Sequence, residues 1–126
     1  MTKKKLTLQD LFQEKEKYEV KEDVKEELFI PRIDASITIQ KPERSLCIES
    51  VQMGRNDEDG DVFLVYNAVV APDLKDKDLQ KAFGCKEPTD IVSKIFEAGE
   101  IVSIAQVALD LAGYGDSVSR MKDLKN

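Results

Sequence analysis

The sequence predicts a small, mainly α-helical domain of the α+β class, with about five to six helices and one β-hairpin near residues 28–41. Glycine and proline interrupt the chain at short intervals, and the apolar residues between them recur at helical spacing. Residues 35–40 instead alternate apolar and polar side chains, as in a half-buried strand. The length of 126 residues is typical of one domain, so we expect residues 1–126 to fold as a single unit.

Residues 73–115 contain the most closely spaced helix boundaries. An apolar stripe ends at Gly84, a second helix over 91–96 follows a proline, and a third over 101–112 starts after a break and ends at Gly113. The apolar residues on one face of these helices are predicted to form the core of this half: Leu79, Phe83, Ile91, Ile95, Phe96, Ile104 and Ala108.

The middle of the chain is predicted to contain two more helices. The first runs from Pro42 to about Met53 and ends at Gly54; the second covers residues 62–70 and follows an acidic loop over residues 55–61. In the first of these helices, we expect the apolar face to include Leu46, Cys47, Val51 and Met53. Periodicity alone leaves a buried strand open as the alternative for residues 62–70. The hairpin must pack on helices or pair with a strand of another copy, because two strands alone are marginally stable.

Residues 1–27 form a charged amino-terminal helix or arm. Thr7 can cap a short helix that carries Leu8, Leu11 and Phe12 on one face, and the following residues are mostly Glu and Lys. A helix this short is unstable alone, so its stripe must dock on its own domain, on a second copy or on a partner. We expect docking on its own domain first, because burying the stripe within one molecule costs the least entropy. The charged stretch is either a solvated arm or a tether for this partner-binding stripe.

Composition excludes several classes of function. The formal net charge of −6 argues against nucleic-acid binding, which needs a basic surface. No apolar run approaches the roughly 20 residues of a membrane helix. Cys47 and Cys85 show no paired motif, and with no secretory signal they are expected as free thiols in the cytosol. Residues 116–126 are polar and predicted to form a flexible tail.

No arrangement of residues points to catalysis, a cofactor or a metal. The chain has no histidine, which removes histidine-dependent nucleophilic sites and histidine-ligated metal sites. Asp57, Asp59 and Asp61 begin a calcium-loop pattern that fails at Val62, where glycine is required. A solvated acidic loop is the main interpretation, with opportunistic cation binding as the lesser one. Residues 113–115 fit a helix end rather than a dinucleotide-binding turn.

Several segments in order resemble one known family. The most specific is LKDKDLQKAFGCKEPTDIVSKIFEAGEI, which LAGYGDSV and KDLKN follow; LTLQDLF, IPRIDASITIQKPERS and VFLVYNAVVAPDL precede it. Together they resemble the XkdN-like tail assembly chaperones of phages and prophages of Gram-positive bacteria, and the resemblance spans almost the whole chain.

The resemblance implies a function in virion assembly. Such a protein would bind the tape measure protein of its own phage in the host cytoplasm, keep it soluble while the tail tube forms, and be absent from the mature virion. Self-association through the hairpin or the amino-terminal helix is possible, with no nucleic acid or membrane partner. The alternative is a minor structural tail protein that is retained in the virion; an enzyme has no support in the sequence.

Overall fold

A computed structural model describes residues 4–54 and 58–124, and it confirms the α+β class with a mainly helical chain. Its described part contains seven α-helices, one or two more than expected, and three strands. In chain order these are α1 (Leu8–Gln13), α2 (Lys15–Tyr18), β1 (Lys25–Ile30), β2 (Ala35–Gln40), α3 (Arg44–Gln52), α4 (Glu58–Ala68), β3 (Val69–Ala71), α5 (Lys77–Ala82), α6 (Asp90–Ile95) and α7 (Ala98–Leu111).

The predicted β-hairpin is present and is extended by a third strand. β1 pairs with β2 in antiparallel register, with Leu28 opposite Ile37, across a short 3₁₀ turn at Pro31–Ile33. β2 also pairs with β3, so the strand order is β1-β2-β3. The hairpin thus obtains its third strand from its own chain. The apolar segment 62–70 is helical as far as Ala68, and its last two residues belong to β3.

The core lies between the inner face of the sheet and a layer formed by α4, α6 and α7. α4 is central to this layer, since it contacts α3, α6 and α7. The largest fully enclosed apolar side chains come from β2, from α4, from the segment before α5 and from α6: Ile39, Leu64, Val65, Leu74, Ile91 and Val92. α7 adds Ile104, Ala105 and Ala108 at its buried face.

The predicted core of the carboxy-terminal half is partly confirmed. Ile91, Phe96, Ile104 and Ala108 are buried, whereas Leu79 and Ile95 are half-buried and pack against the core from its edge. The prediction for Phe83 was wrong, because its side chain is 43% exposed. α5 meets the core through Leu79 and ends at Ala82, so Phe83 follows the last turn at the periphery.

The buried face of α3 also differs from the expectation. Cys47 and Ser50 are buried and Leu46 is half-buried, but Val51 and Met53 are exposed. The close approach of α4 explains which face of α3 is buried. At Gly60 of α4, an added Cβ would lie 2.6 Å from the carbonyl oxygen of Ser50. The face of α3 that includes Ser50 is therefore the one that α4 covers.

Two helices begin earlier than expected. α4 begins at Glu58, so Asp59 and Asp61 belong to its first turns, where carboxylates interact favourably with the helix dipole, and not to a loop. Asp57 lies outside the described residues. α7 begins at Ala98 rather than at residue 101, because the N–H of Glu97 donates to Oε1 of Glu100 at 2.8 Å and fixes the first turn.

Candidate partner-binding surfaces

Local hydrogen bonds define the start of α1. The Thr7 hydroxyl accepts from the N–H of Asp10 at 3.2 Å, and the Asp10 carboxylate accepts from the N–H of Thr7 at 3.0 Å. The hydrogen bond from the Thr7 N–H is the main cause that lowers the pKa of Asp10, and the Thr7 side chain adds to this shift. Lys4 lies 3.3 Å from the same carboxylate. The predicted cap at Thr7 is confirmed, and the contacts that define the start of this helix lie within residues 4–10.

The stripe on α1 is exposed to solvent. Leu8 is 70% exposed, Leu11 41% and Phe12 78%, and no residue of α1 is buried. Their spacing of three and four residues places them on one side of the helix. The expectation that this stripe docks first on its own domain was therefore wrong: among the described residues, no element covers it. That it binds a partner stays a prediction.

The arm is attached to the domain at its carboxy-terminal end. The N–H of Lys41 donates to the carbonyl of Val24 at 2.7 Å, and Lys41 Nζ donates to the carbonyl of Lys21 at 2.6 Å. Ahead of this attachment, α1 and α2 are solvent-exposed and carry ion pairs within the arm itself, such as Lys17 with Glu14 at 3.2 Å. The stripe is thus presented at the end of a charged segment.

A second surface is the groove between β1 and α7, which has a volume of about 630 Å³. Its floor is mostly apolar, with Leu28 and Ile30 on the strand side and Ile104 and Val107 on the helix side. The sequence reasoning missed this surface. One signal was available: Leu28, Phe29 and Ile30 are consecutive apolar residues, whereas a strand with one wet face alternates.

One arginine binds Glu100, which lines this groove. Arg32 Nε and Nη2 each lie 3.0 Å from a carboxylate oxygen of Glu100, and Nη2 also donates to the carbonyl of Ile95 at 2.7 Å. The bidentate hydrogen bond lowers the pKa of Glu100 and raises that of Arg32. The hairpin turn, the end of α6 and the start of α7 are joined at this side chain.

A family model for the phage XkdN-like tail assembly chaperone protein matches residues 8–125 of the sequence. The chain belongs to this family. A solved structure, the crystal structure of the protein YqbN, is similar to the fold with a TM-score of 0.60 and 13% sequence identity, and the match covers 88% of this chain and 100% of that one. At this identity the likeness concerns the fold alone. No curated protein matches the sequence.

The described part of this tail assembly chaperone shows little that resembles a catalytic or metal site. No group of three or more carboxylate or cysteine side chains among the described residues could hold a metal ion. Cys47 and Cys85 are free thiols, and burial raises the pKa of Cys47. Within the described ranges, no helix is both long enough and apolar enough to cross a membrane.

A cavity of about 380 Å³ beside α6 contains one carboxylate with a shifted pKa. Burial raises the pKa of Asp61, and no charged group among the described residues contributes to that shift. Functional carboxylates usually combine desolvation with a specific charge or hydrogen-bond partner. Asp61 is therefore explained by its place at the edge of the packed layer, where α4 begins.

Proposed function

We propose that this protein is a non-catalytic tail assembly chaperone that binds the tape measure protein of its own phage. It would keep that protein soluble while the tail tube assembles in the host cytoplasm, and it would be absent from the mature virion. Membership of the family supports the general role. The uncovered stripe of Leu8, Leu11 and Phe12 is the observation that carries the proposed binding.

Exposed apolar side chains at these positions leave an unfavourable contact with water that a partner can remove. Burying such a side chain completely is worth about 1.5–3 kcal/mol. A six-residue helix offers only a few of these, so one contact is weak and reversible. Several chaperone copies along one long client would bind by avidity. The charged residues beside the stripe keep the free chaperone soluble.

A minor structural tail protein is the alternative, and it is favoured by the outer edge of β1, with which no described element pairs. The free edge of an outer strand can join neighbouring subunits edge to edge. Mass spectrometry of purified virions separates the two functions. A chaperone is expected to be missing from the particle, whereas a structural protein would be present in a fixed ratio to the tube protein.

The direct test is co-expression of tape measure fragments with wild type and with a variant carrying Leu8→Asp, Leu11→Asp and Phe12→Asp. Wild type is expected to co-purify with the fragments and increase their soluble yield, and the variant to lose both effects. The matched control places the same charge on other exposed apolar residues: Val118→Asp, Met121→Asp and Leu124→Asp.

The control should behave as wild type. If wild type neither co-purifies with any fragment nor raises its solubility, the proposed function is wrong. If the α1 variant stays folded and still rescues the client, the function stands, but the stripe is not its contact.

A further inference from the structure

β1 is an edge strand with a free row of peptide groups. The Lys41 N–H bonds to the carbonyl of Val24, and β1 pairs with β2 in unbroken antiparallel register from Lys25 to Ile30. Antiparallel hydrogen bonds alternate along a strand. The peptide groups of Lys25, Glu27 and Phe29 therefore point away from β2. Within the described residues, no element pairs with this edge.

The groove lies directly beside this free edge. Leu28 and Ile30 face the same side as α7, where Ile104 and Val107 form the opposite wall. A strand added to β1 would send every second side chain into this apolar groove. Its other side chains would lie on the outer face of the sheet, beside Phe29, which is 61% exposed.

Three carboxylates form the rim of the groove, those of Glu27, Glu97 and Glu100, and their charge selects the kind of strand. Glu27 lies on the outer face of β1, and Glu97 lies at the start of α7. Arg32 pairs with Glu100, so it offsets that third carboxylate of the rim. An opposite charge directly across an antiparallel pair is favourable, and a like charge is unfavourable. Glu27 therefore favours Lys or Arg at the outward position of an incoming strand that lies beside it, while Glu97 adds negative charge on the α7 side of the groove.

We propose that the groove receives an extended segment of a partner, with alternating apolar and basic residues, which adds to β1 as a fourth strand. The peptide groups at the edge specify an extended backbone, the groove takes its apolar side chains, and Glu27 pairs with a basic side chain on the outer face. The identity of the partner as the tape measure protein rests on the proposed function. A second copy of this chain fits less well, since it would bring another acidic rim and a net charge of −6 to the contact.

Two full-length variants block the site by different routes. Glu27→Pro removes one outward N–H and obstructs the edge, and proline is tolerated at such edge positions. Its control, Glu27→Gln, removes the charge but keeps the N–H. Ser103→Trp fills the groove from an exposed position on α7, and its control, Gln106→Trp, changes an exposed residue of the same helix that does not line the groove. Circular dichroism verifies that each variant is folded.

The probes are overlapping twelve-residue peptides of the phage's own tape measure protein and a synthetic peptide of alternating Val and Lys. Binding is measured by fluorescence anisotropy. We expect the synthetic peptide and at least one tape measure peptide of this pattern to bind wild type. Glu27→Pro and Ser103→Trp should each weaken binding by about tenfold or more, as loss of roughly 1.4 kcal/mol would. The Gln106→Trp control should not change it, and Glu27→Gln should weaken it by less than Glu27→Pro.

Three results overturn the proposal: no probe binds wild type, binding is insensitive to both blocking variants, or wild type sediments as a dimer that Glu27→Pro dissociates. The last result would assign the edge to a second copy. Failure of the proposed function is distinguishable. If wild type does not solubilise tape measure fragments but the Val–Lys peptide binds at the edge, the groove does bind an extended strand, and only the tape measure protein as its partner is wrong. If Glu27→Pro solubilises the fragments as well as wild type and binds every peptide as tightly, the groove proposal fails alone.

Discussion

The packed half of the molecule and the amino-terminal arm form helices for opposite reasons. α4, α6 and α7 each bury several side chains against the sheet or against one another. α1 buries none, and it begins through its capping box alone. Short helices form weakly on their own. Packing therefore stabilises α4, α6 and α7, whereas local hydrogen bonds start α1. The comparison separates residues that stabilise the domain from residues that are free to contact a partner.

The largest expected contrast comes from truncating one apolar residue in each region. Ile91 is fully enclosed, so Ile91→Ala should lower the free energy of unfolding by about 2–5 kcal/mol. Leu11→Ala, in the exposed arm, should change it by less than about 0.5 kcal/mol. Urea melts of both variants measure the difference. A loss of similar size at Leu11 would mean that the arm packs on the domain in solution.

Two helical glycines give the next contrast. Gly60→Ala would place a Cβ 2.6 Å from the backbone oxygen of Ser50, so α3 and α4 must separate, at a cost of about 1–3 kcal/mol. Gly99→Ala meets nothing within 4 Å and should stabilise α7 by about 0.5–1 kcal/mol. Thermal melts should move in opposite directions. Equal shifts would contradict the close approach of α3 to α4.

Phe83 belongs to the packed half of the molecule by sequence but is exposed like the residues of the arm. It follows the last turn of a helix of the packed half, but its side chain is largely in solvent. Phe83→Ala should therefore cost less than about 1 kcal/mol, well below the roughly 3–5 kcal/mol of a buried aromatic. Denaturant melts with Phe96→Ala, which truncates a buried ring, provide the scale. A large loss at Phe83 would place this residue in the core.

The smallest expected effect is the dependence on pH of the Arg32–Glu100 pair. The folded-state pKa of Glu100 is lowered from its ordinary value of 4.5, so its stabilisation is complete above that value and disappears as pH falls through the folded pKa. The melting temperature of Glu100→Gln should lie below that of wild type at neutral pH, and the two should converge in acid. Asp116→Asn, at an exposed carboxylate, controls for lost charge. A difference that persists unchanged in acid would show that the pair does not titrate.

Features set by neighbouring residues could be predicted from the sequence. The alternation around Ile37 and Ile39 indicated β2, and glycine correctly marked three helix ends, at Gly54, Gly84 and Gly113, where φ is +106°, +68° and +89°. The cap at Thr7 was also predictable, because it needs only the next three residues. In each case the signal and the structure it specifies lie within a few positions of each other.

Features that depend on distant contacts were missed. The short apolar run of β3 continues the pattern of α4, and only its pairing with β2 makes it a strand. Arg32 and Glu100 are 68 residues apart, and neither has a local pattern that marks it as a partner of the other. The groove exists because α7 lies beside β1, which periodicity cannot show. The candidate stripe could be identified but not its exposure, since that depends on what the remaining elements leave uncovered.

The direct passage from α4 into β3 has a consequence for how the molecule opens. No residue separates Ala68, the last of the helix, from Val69, the first of the strand, and both are buried. A fluctuation that lifts β3 from the sheet must therefore displace the end of the helix that supports α3, α6 and α7. Amide protons of β2 and α4 are expected to exchange with solvent in one cooperative opening, at a single free energy, while those of α1 exchange almost without protection.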